Sequence, residues 1–184
     1  YTDNPYDALL NYYEEGINTK LIEKMIPELK SFAIDTLSKI KTNNEVLNIK
    51  GDFSHERQKE LSVIILKLIG FDFSYGRLDI SEHPTTLANS PKDVRIVTAF
   101  NKNDILKGVY NTLHEGGKGL YEQDIDCNLL GTLLAEVSSF SLQEAEAKFY
   151  ESIIGKDKQF CKILLEHIQK LFPHHYKNIS LEEF

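Results

Sequence analysis

The stretch His114-Glu115-Gly116-Gly117-Lys118-Gly119-Leu120-Tyr121-Glu122-Gln123 stands one residue away from an H-E-x-x-H pattern. In that pattern two histidines lie one turn apart on a helix face and share a metal ion, and the glutamate between them serves as general base. His114 and Glu115 supply the first two positions, and Lys118 occupies the place of the second histidine. An ammonium offers three donors and no lone pair, so Lys118 is a poor metal ligand unless burial strips its proton. Gly116, Gly117 and Gly119 each cost about 0.5 to 1 kcal/mol in a helix interior relative to alanine. Such a cost predicts that another element comes close to this helix.

Helical periodicity surrounds the stretch from about Asp104 to Gln123. Upstream, a short helix has Pro5 in its first turn behind Asn4 and stops at Gly16. A longer one runs from Thr19 to Lys41 with a kink or break expected at Pro27, its apolar residues Leu21, Ile22, Met25, Leu29, Phe32, Leu37 and Ile40 at helical spacing. A third is capped by Ser54 and ends at Gly70. Between Phe71 and Phe100 the helical period lapses. Arg77 to Ile80 and Val94 to Phe100 read as extended, the second run being rich in β-branched residues, and His83-Pro84-Thr85-Thr86 reads as a loop. Two further helices follow, from about Ser139 to Ile154 and from Asp157 to Leu171. The fold class predicted is mainly α, a helical zincin-like domain with one small β element, and residues 1 to 184 read as a single domain.

Composition narrows the function classes. A net charge of -7 on 184 residues argues against a nucleic-acid surface, which needs a basic stripe. No apolar run reaches the roughly 20 residues of a membrane span, and no charged-then-apolar leader opens the sequence. Cys127 and Cys161 form no C-x-x-C pair and read as reduced thiols, which gives a cytoplasmic expectation. His167, His174 and His175 read as solvated surface residues rather than ligands, and His55, in the first turn after Ser54, has no evident partner in the sequence.

Taken together, these residues resemble the carboxypeptidase Taq family of all-helical zinc metallocarboxypeptidases. The active-site helix of that family reads H-E-x-G-H-x-L-Y-E-Q. His114, Glu115, Gly117, Leu120, Tyr121, Glu122 and Gln123 match it, and Lys118 breaks it. The family's D-x-R-x-T-T strand is met by Asp93, Arg95, Ile96 and Thr98, with Val97 in place of a threonine, and its H-P-F loop by His83 and Pro84. The H-E-S-Q motif keeps only its glutamate, Glu144, thirty residues after His114 as in the family pattern. Likeness extends through Tyr6-Asp7-Ala8-Leu9-Leu10, Gly76-Arg77-Leu78-Asp79, Gly131-Thr132 and Phe172-Pro173, nearly the whole chain.

The resemblance implies roles. His114 and Glu144 would be zinc ligands with Lys118 at the missing ligand position, Glu115 the general base, and Arg95 and His83 substrate-binding residues. It implies peptides as substrate or ligand and zinc as the family's cofactor, with none or only weakly held zinc here. Neither nucleic acid nor membrane is expected as a partner, and a homodimer is left open. The sequence stops just before the position of the family's I-R-x-x-A-D motif, whose arginine holds the substrate carboxylate. Losing the second histidine leaves two protein ligands against the usual three, and without the metal, which lowers the pKa of bound water from 15.7 to about 7, Glu115 would face water too weakly acidic to serve as a nucleophile. The expectation is an inactive relative of a zinc carboxypeptidase, with a peptide- or partner-binding pseudo-peptidase as the alternative. It carries three geometric expectations: the His114 and Glu144 helices pack together, Val94 to Phe100 is a peptide-pairing strand near His114, and Lys118 lies within salt-bridge reach of Glu144, Glu115 or both.

Overall fold

The computed structural model describes residues 4–40, 49, 51–135, 137 and 139–184. The chain divides into two compact units, Tyr1–Val46 with Ser138–Ser141, and Leu47–Val137 with Leu142–Phe184. The smaller unit carries α1 (Tyr6–Tyr13) and α2 (Thr19–Lys39). Asn4 Oδ1 accepts the Tyr6 N–H at 3.0 Å, and Asn18 Oδ1 caps α2 through the Leu21 N–H at 2.9 Å. Pro27 lies within one continuous helix rather than dividing it in two, and Lys41 lies outside the described residues. The apolar row of α2 does not form core: Met25, Leu29, Phe32 and Leu37 are exposed, and neither helix has a buried residue.

The larger unit is mainly helical around one small sheet. Its helices are α3 (His55–Leu68), α4 (Ile105–Gln123), α5 (Phe140–Lys148, whose first two residues belong to the smaller unit), α6 (Lys158–Leu171) and α7 (Pro173–Tyr176). Ser54, Asp104 and Asp157 cap α3, α4 and α6 with side-chain oxygens, each satisfying first-turn N–H groups that have no helical partner. The sequence places one helix from Ser139 to Ile154. In the structure α5 passes instead into a π-turn at Phe149–Ile153 and a 3₁₀ turn at Ile154–Lys156.

Three strands, β1 (Gly76–Ile80), β2 (Thr85–Ser90) and β3 (Asp93–Thr98), form a sheet in the order β1-β3-β2. β1 runs parallel to β3 and β2 antiparallel to it, with Leu78 and Thr86 both opposite Ile96. The strand containing Val94 is therefore central, paired on both sides. It cannot pair with a peptide, which corrects the expectation for that segment. The free edge next to α4 belongs to β2, a third of which, Thr85-Thr86, reads as loop in the sequence. Its residues Thr-Thr-Leu-Ala-Asn-Ser carry little of the apolar alternation that marks a strand, because one side of the strand is solvated and its edge is open.

α4 is the hub. Ile105, Val109 and Leu113 pack with Leu61, Ile65, Leu164 and Ile168 in one buried cluster, while Leu120 joins Leu66, Phe71, Leu78, Val94 and Ile96 in a second. Its glycines open three sides. A Cβ at Gly117 would meet Ala147 Cα at 2.9 Å and the Glu146 carbonyl at 3.1 Å, so α5 passes against the bare backbone there. At Gly116 the side chains of Leu66 and Ile69 fill the place of a Cβ, and at Gly119 those of Ile96 and Phe71. Gly117→Ala gains about 1 kcal/mol of helix propensity but forces two backbones apart, and overpacking of that kind costs roughly 1 to 3 kcal/mol. A net loss of stability is expected, seen as a lower denaturation midpoint at unchanged m-value; a rise in the midpoint would contradict the contact.

Candidate functional site

Helix periodicity puts His114, Glu115 and Lys118 on adjoining positions of α4, and α5 brings Glu144 up to them. His114 Nε2 lies 3.4 Å from Glu144 Oε2. Lys118 Nζ lies 2.5 Å from the other oxygen of the same carboxylate and 3.9 Å from Glu115 Oε1. Glu115 is only 4% exposed, and its Oε2 accepts the Thr86 hydroxyl of β2 at 2.8 Å.

Glu151 completes the arrangement, and sequence reasoning missed it. It accepts from His114 Nδ1 at 2.8 Å and from Lys148 Nζ at 2.7 Å. A carboxylate on Nδ1 fixes the tautomer and aims the Nε2 lone pair away from itself, toward Glu144. The signal for it was spacing: Glu151 follows Glu144 by seven residues, two helical turns, and so shares its face. The π-turn lies at this position, where such turns concentrate at functional sites. Nor does the sequence single out Thr86, whose segment reads as a loop.

Basic and acidic side chains alternate along one chain: Lys148, Glu151, His114, Glu144, Lys118, Glu115. Burial raises the Glu151 carboxyl, but hydrogen bonds from Lys148 and His114 outweigh that and leave it below its ordinary value. The hydrogen bond from Lys118 holds the Glu144 carboxyl below its ordinary 4.5, against a smaller desolvation effect.

Arg95 is not part of this cluster. Val94, Ile96 and Thr98 face α4, so Arg95 points from the opposite face of the sheet. There its Nε and Nη2 hold Asp93 at 2.9 and 2.8 Å, and the Asp93 carboxyl is pulled down to about 2. His83 lies in the loop before β2, on the wall of a cavity of about 730 Å³ that also takes in Asn111 of α4, one turn before His114. A second cavity of about 620 Å³, lined by Ala88 to Pro91, Glu122 and residues 130–133, lies at the other end of β2.

Could the cluster hold zinc? Two ligands at 2.0–2.1 Å from a tetrahedral ion stand about 3.3 Å apart, close to the separation of His114 Nε2 and Glu144 Oε2. The third position fails, because zinc takes deprotonated donors and Lys118 presents an ammonium bonded to one of the would-be ligands. Among the described residues no three His, Cys, Asp or Glu side chains are arranged to hold a metal. As it stands the donor set does not fit the ion.

The family model described as carboxypeptidase Taq (M32) metallopeptidase matches residues 1–184. Carboxypeptidase 1 of Bacillus subtilis is 36% identical over 187 residues, covering 100% of this chain and 37% of its own length. Thermostable carboxypeptidase 1 of Pyrococcus furiosus is 33% identical over 178 residues, covering 94% of this chain and 36% of its own. The crystal structure of BsuCP superposes with a TM-score of 0.92 at 35% identity, over 100% of this chain and 38% of that one. The chain thus spans little more than a third of the length of the relatives it matches.

The ion pair has a pH signature. Because the folded Glu144 titrates below its unfolded value, the pair adds stability that is present above about pH 4.5 and is lost as the pH falls through the lowered folded value. Glu144 is half-exposed, so solvent screening keeps this contribution small. In Lys118→Met the Glu144 carboxyl is expected to titrate higher than in the parent, read by carbon-detected NMR titration of that group. An unchanged titration would contradict the pairing.

Proposed function

The chain belongs to the carboxypeptidase Taq (M32) metallopeptidase family, and on that premise we propose that it holds extended peptides beside α4 without hydrolysing them. The observation that carries this reading is Lys118 Nζ at 2.5 Å from Glu144 Oε1. The ammonium supplies, from within the chain, positive charge that would otherwise come from an ion. The buried Glu115 and the half-exposed Glu144 thereby each have a cation within reach. The same contact takes from Glu144 an oxygen that the ion would use. With no ion to acidify it, water beside Glu115 is too weak an acid to yield a nucleophile at neutral pH.

The peptide-holding half of the proposal rests on β2. Among the described residues it pairs only with β3, which leaves one row of backbone N–H and C=O groups open. An extended peptide can add to such an edge as a further strand. Thr86 sits within that strand and is bonded to Glu115, and a cavity opens at each end. A peptide laid along β2 would pass the cluster on its way from one cavity to the other.

Two of three zinc ligands already stand at tetrahedral spacing, so a single substitution tests the reading. Lys118→His is expected to bind zinc at least about a hundredfold more tightly than the parent in calorimetric titration, exceeding the roughly 10–100-fold that supporting partners alone contribute. The parent should neither retain zinc through dialysis nor release C-terminal residues from peptides. Stoichiometric zinc in the parent, or a Lys118→His variant that binds no better, would overturn the proposal.

A further inference from the structure

The cavity at the N-terminal end of β2 carries an unbalanced charge. It is lined by His55, by Glu82, His83 and Pro84 of the β1–β2 loop, by Phe100 to Lys102, and by Lys107 and Asn111 of α4. Neither Lys102 nor Lys107 is in an ion pair among the described residues, and Glu82 is the one carboxylate on the wall. Two lysines and one glutamate thus line the same concave space, and the two histidines there add further hydrogen-bonding nitrogens.

The wall that carries Lys102 is fixed from behind. Gln58, 2% exposed, donates from Nε2 to the carbonyls of Phe53 at 2.8 Å and Asn101 at 2.9 Å. The Lys102 carbonyl accepts the Phe53 N–H at 2.8 Å, and Asn111 Nδ2 holds the Ala99 carbonyl at 3.2 Å. The backbone of residues 99–102 is thus pinned to α3 and α4, so the cavity is formed before a ligand arrives. Pro84 on its rim stands two residues before Thr86, roughly 7 Å along the strand.

From these features the geometry points to a subsite for the C-terminal end of an acidic peptide, with the peptide running antiparallel to β2. Its last residue lies in the cavity, and its side-chain and terminal carboxylates meet Lys102 and Lys107. This deepens the peptide-holding reading and rests on it. Selectivity comes from charge: a terminal Glu or Asp adds a second anion to the carboxylate every peptide carries, whereas a terminal Lys brings a cation to a wall already positive.

The test uses fluorescein-labelled tetrapeptides, three alanines followed by Glu, Ala or Lys, titrated with the full chain by fluorescence polarisation at low salt. The Glu peptide is expected to bind roughly five- to tenfold more tightly than the Lys peptide, a difference that shrinks as salt is added. In Lys102→Glu/Lys107→Glu the order should reverse. Lys107→Gln, a milder change, should reduce the preference while circular dichroism stays that of the parent. Equal binding of all three peptides, or a preference the charge reversal leaves intact, overturns the acidic subsite while peptide holding stands. If no peptide binds at all, the peptide-holding reading fails and the subsite fails with it.

Discussion

Glu115 is a carboxylate almost shut off from water, and an ion of that kind carries a desolvation penalty of several kcal/mol unless other groups compensate it. That requirement organises its surroundings. A hydroxyl must reach it from β2, which fixes how the edge strand lies against α4. A cation must stand near it, and Lys118, one turn along the same helix, does so while bonding Glu144. Glu144 can be there only because α5 crosses α4 at the bare backbone of Gly117. Removing Lys118 takes the cation from two carboxylates at once, so the cluster behaves as a unit more than as a set of separate contacts.

Much of this was legible in the residues. The helices of the larger unit announce themselves by capping oxygens and by apolar spacing, and α3, α4 and α6 begin within a residue of where Ser54, Asp104 and Asp157 place them. The glycines of α4 gave notice of close packing because they make no sense on an ordinary helix surface. Periodicity could not tell whether an apolar row is buried. The row on α2 has the right spacing, yet Phe32 and Leu37 lie in the open. Spacing describes a face, and burial depends on what lies opposite it.

The sheet was the least legible part, for a physical reason. Strand order is a long-range property: nothing in Asp93 to Thr98 says whether neighbours lie on one side or both, and only the pairing of Leu78 and Thr86 with Ile96 settles it. β2 was missed because an edge strand with one solvated face needs few apolar residues. Arg95 sits beside the same fact, since alternation along β3 sends its guanidinium to the face away from α4, where Asp93 holds it. Glu151 illustrates the reverse case, a residue whose spacing was readable but whose importance showed only once the ring of His114 lay against it.

The order of the strands also bears on how the chain assembles. β2 and β3 are joined by the two residues Pro91 and Lys92, so their pairing closes a short loop, an event of roughly 1 to 10 μs for a hairpin. β1 must instead reach β3 in parallel, Gly76 opposite Val94, after the chain has passed around the end of β3. Closing the longer loop costs more entropy, and parallel pairing returns slightly less per residue. The least costly route makes the β2–β3 hairpin first and adds β1 afterwards, when the apolar faces of Leu78, Ile96 and Phe71 can meet. Substitutions in the hairpin would then act chiefly on the rate of folding, and substitutions in β1 chiefly on the rate of unfolding.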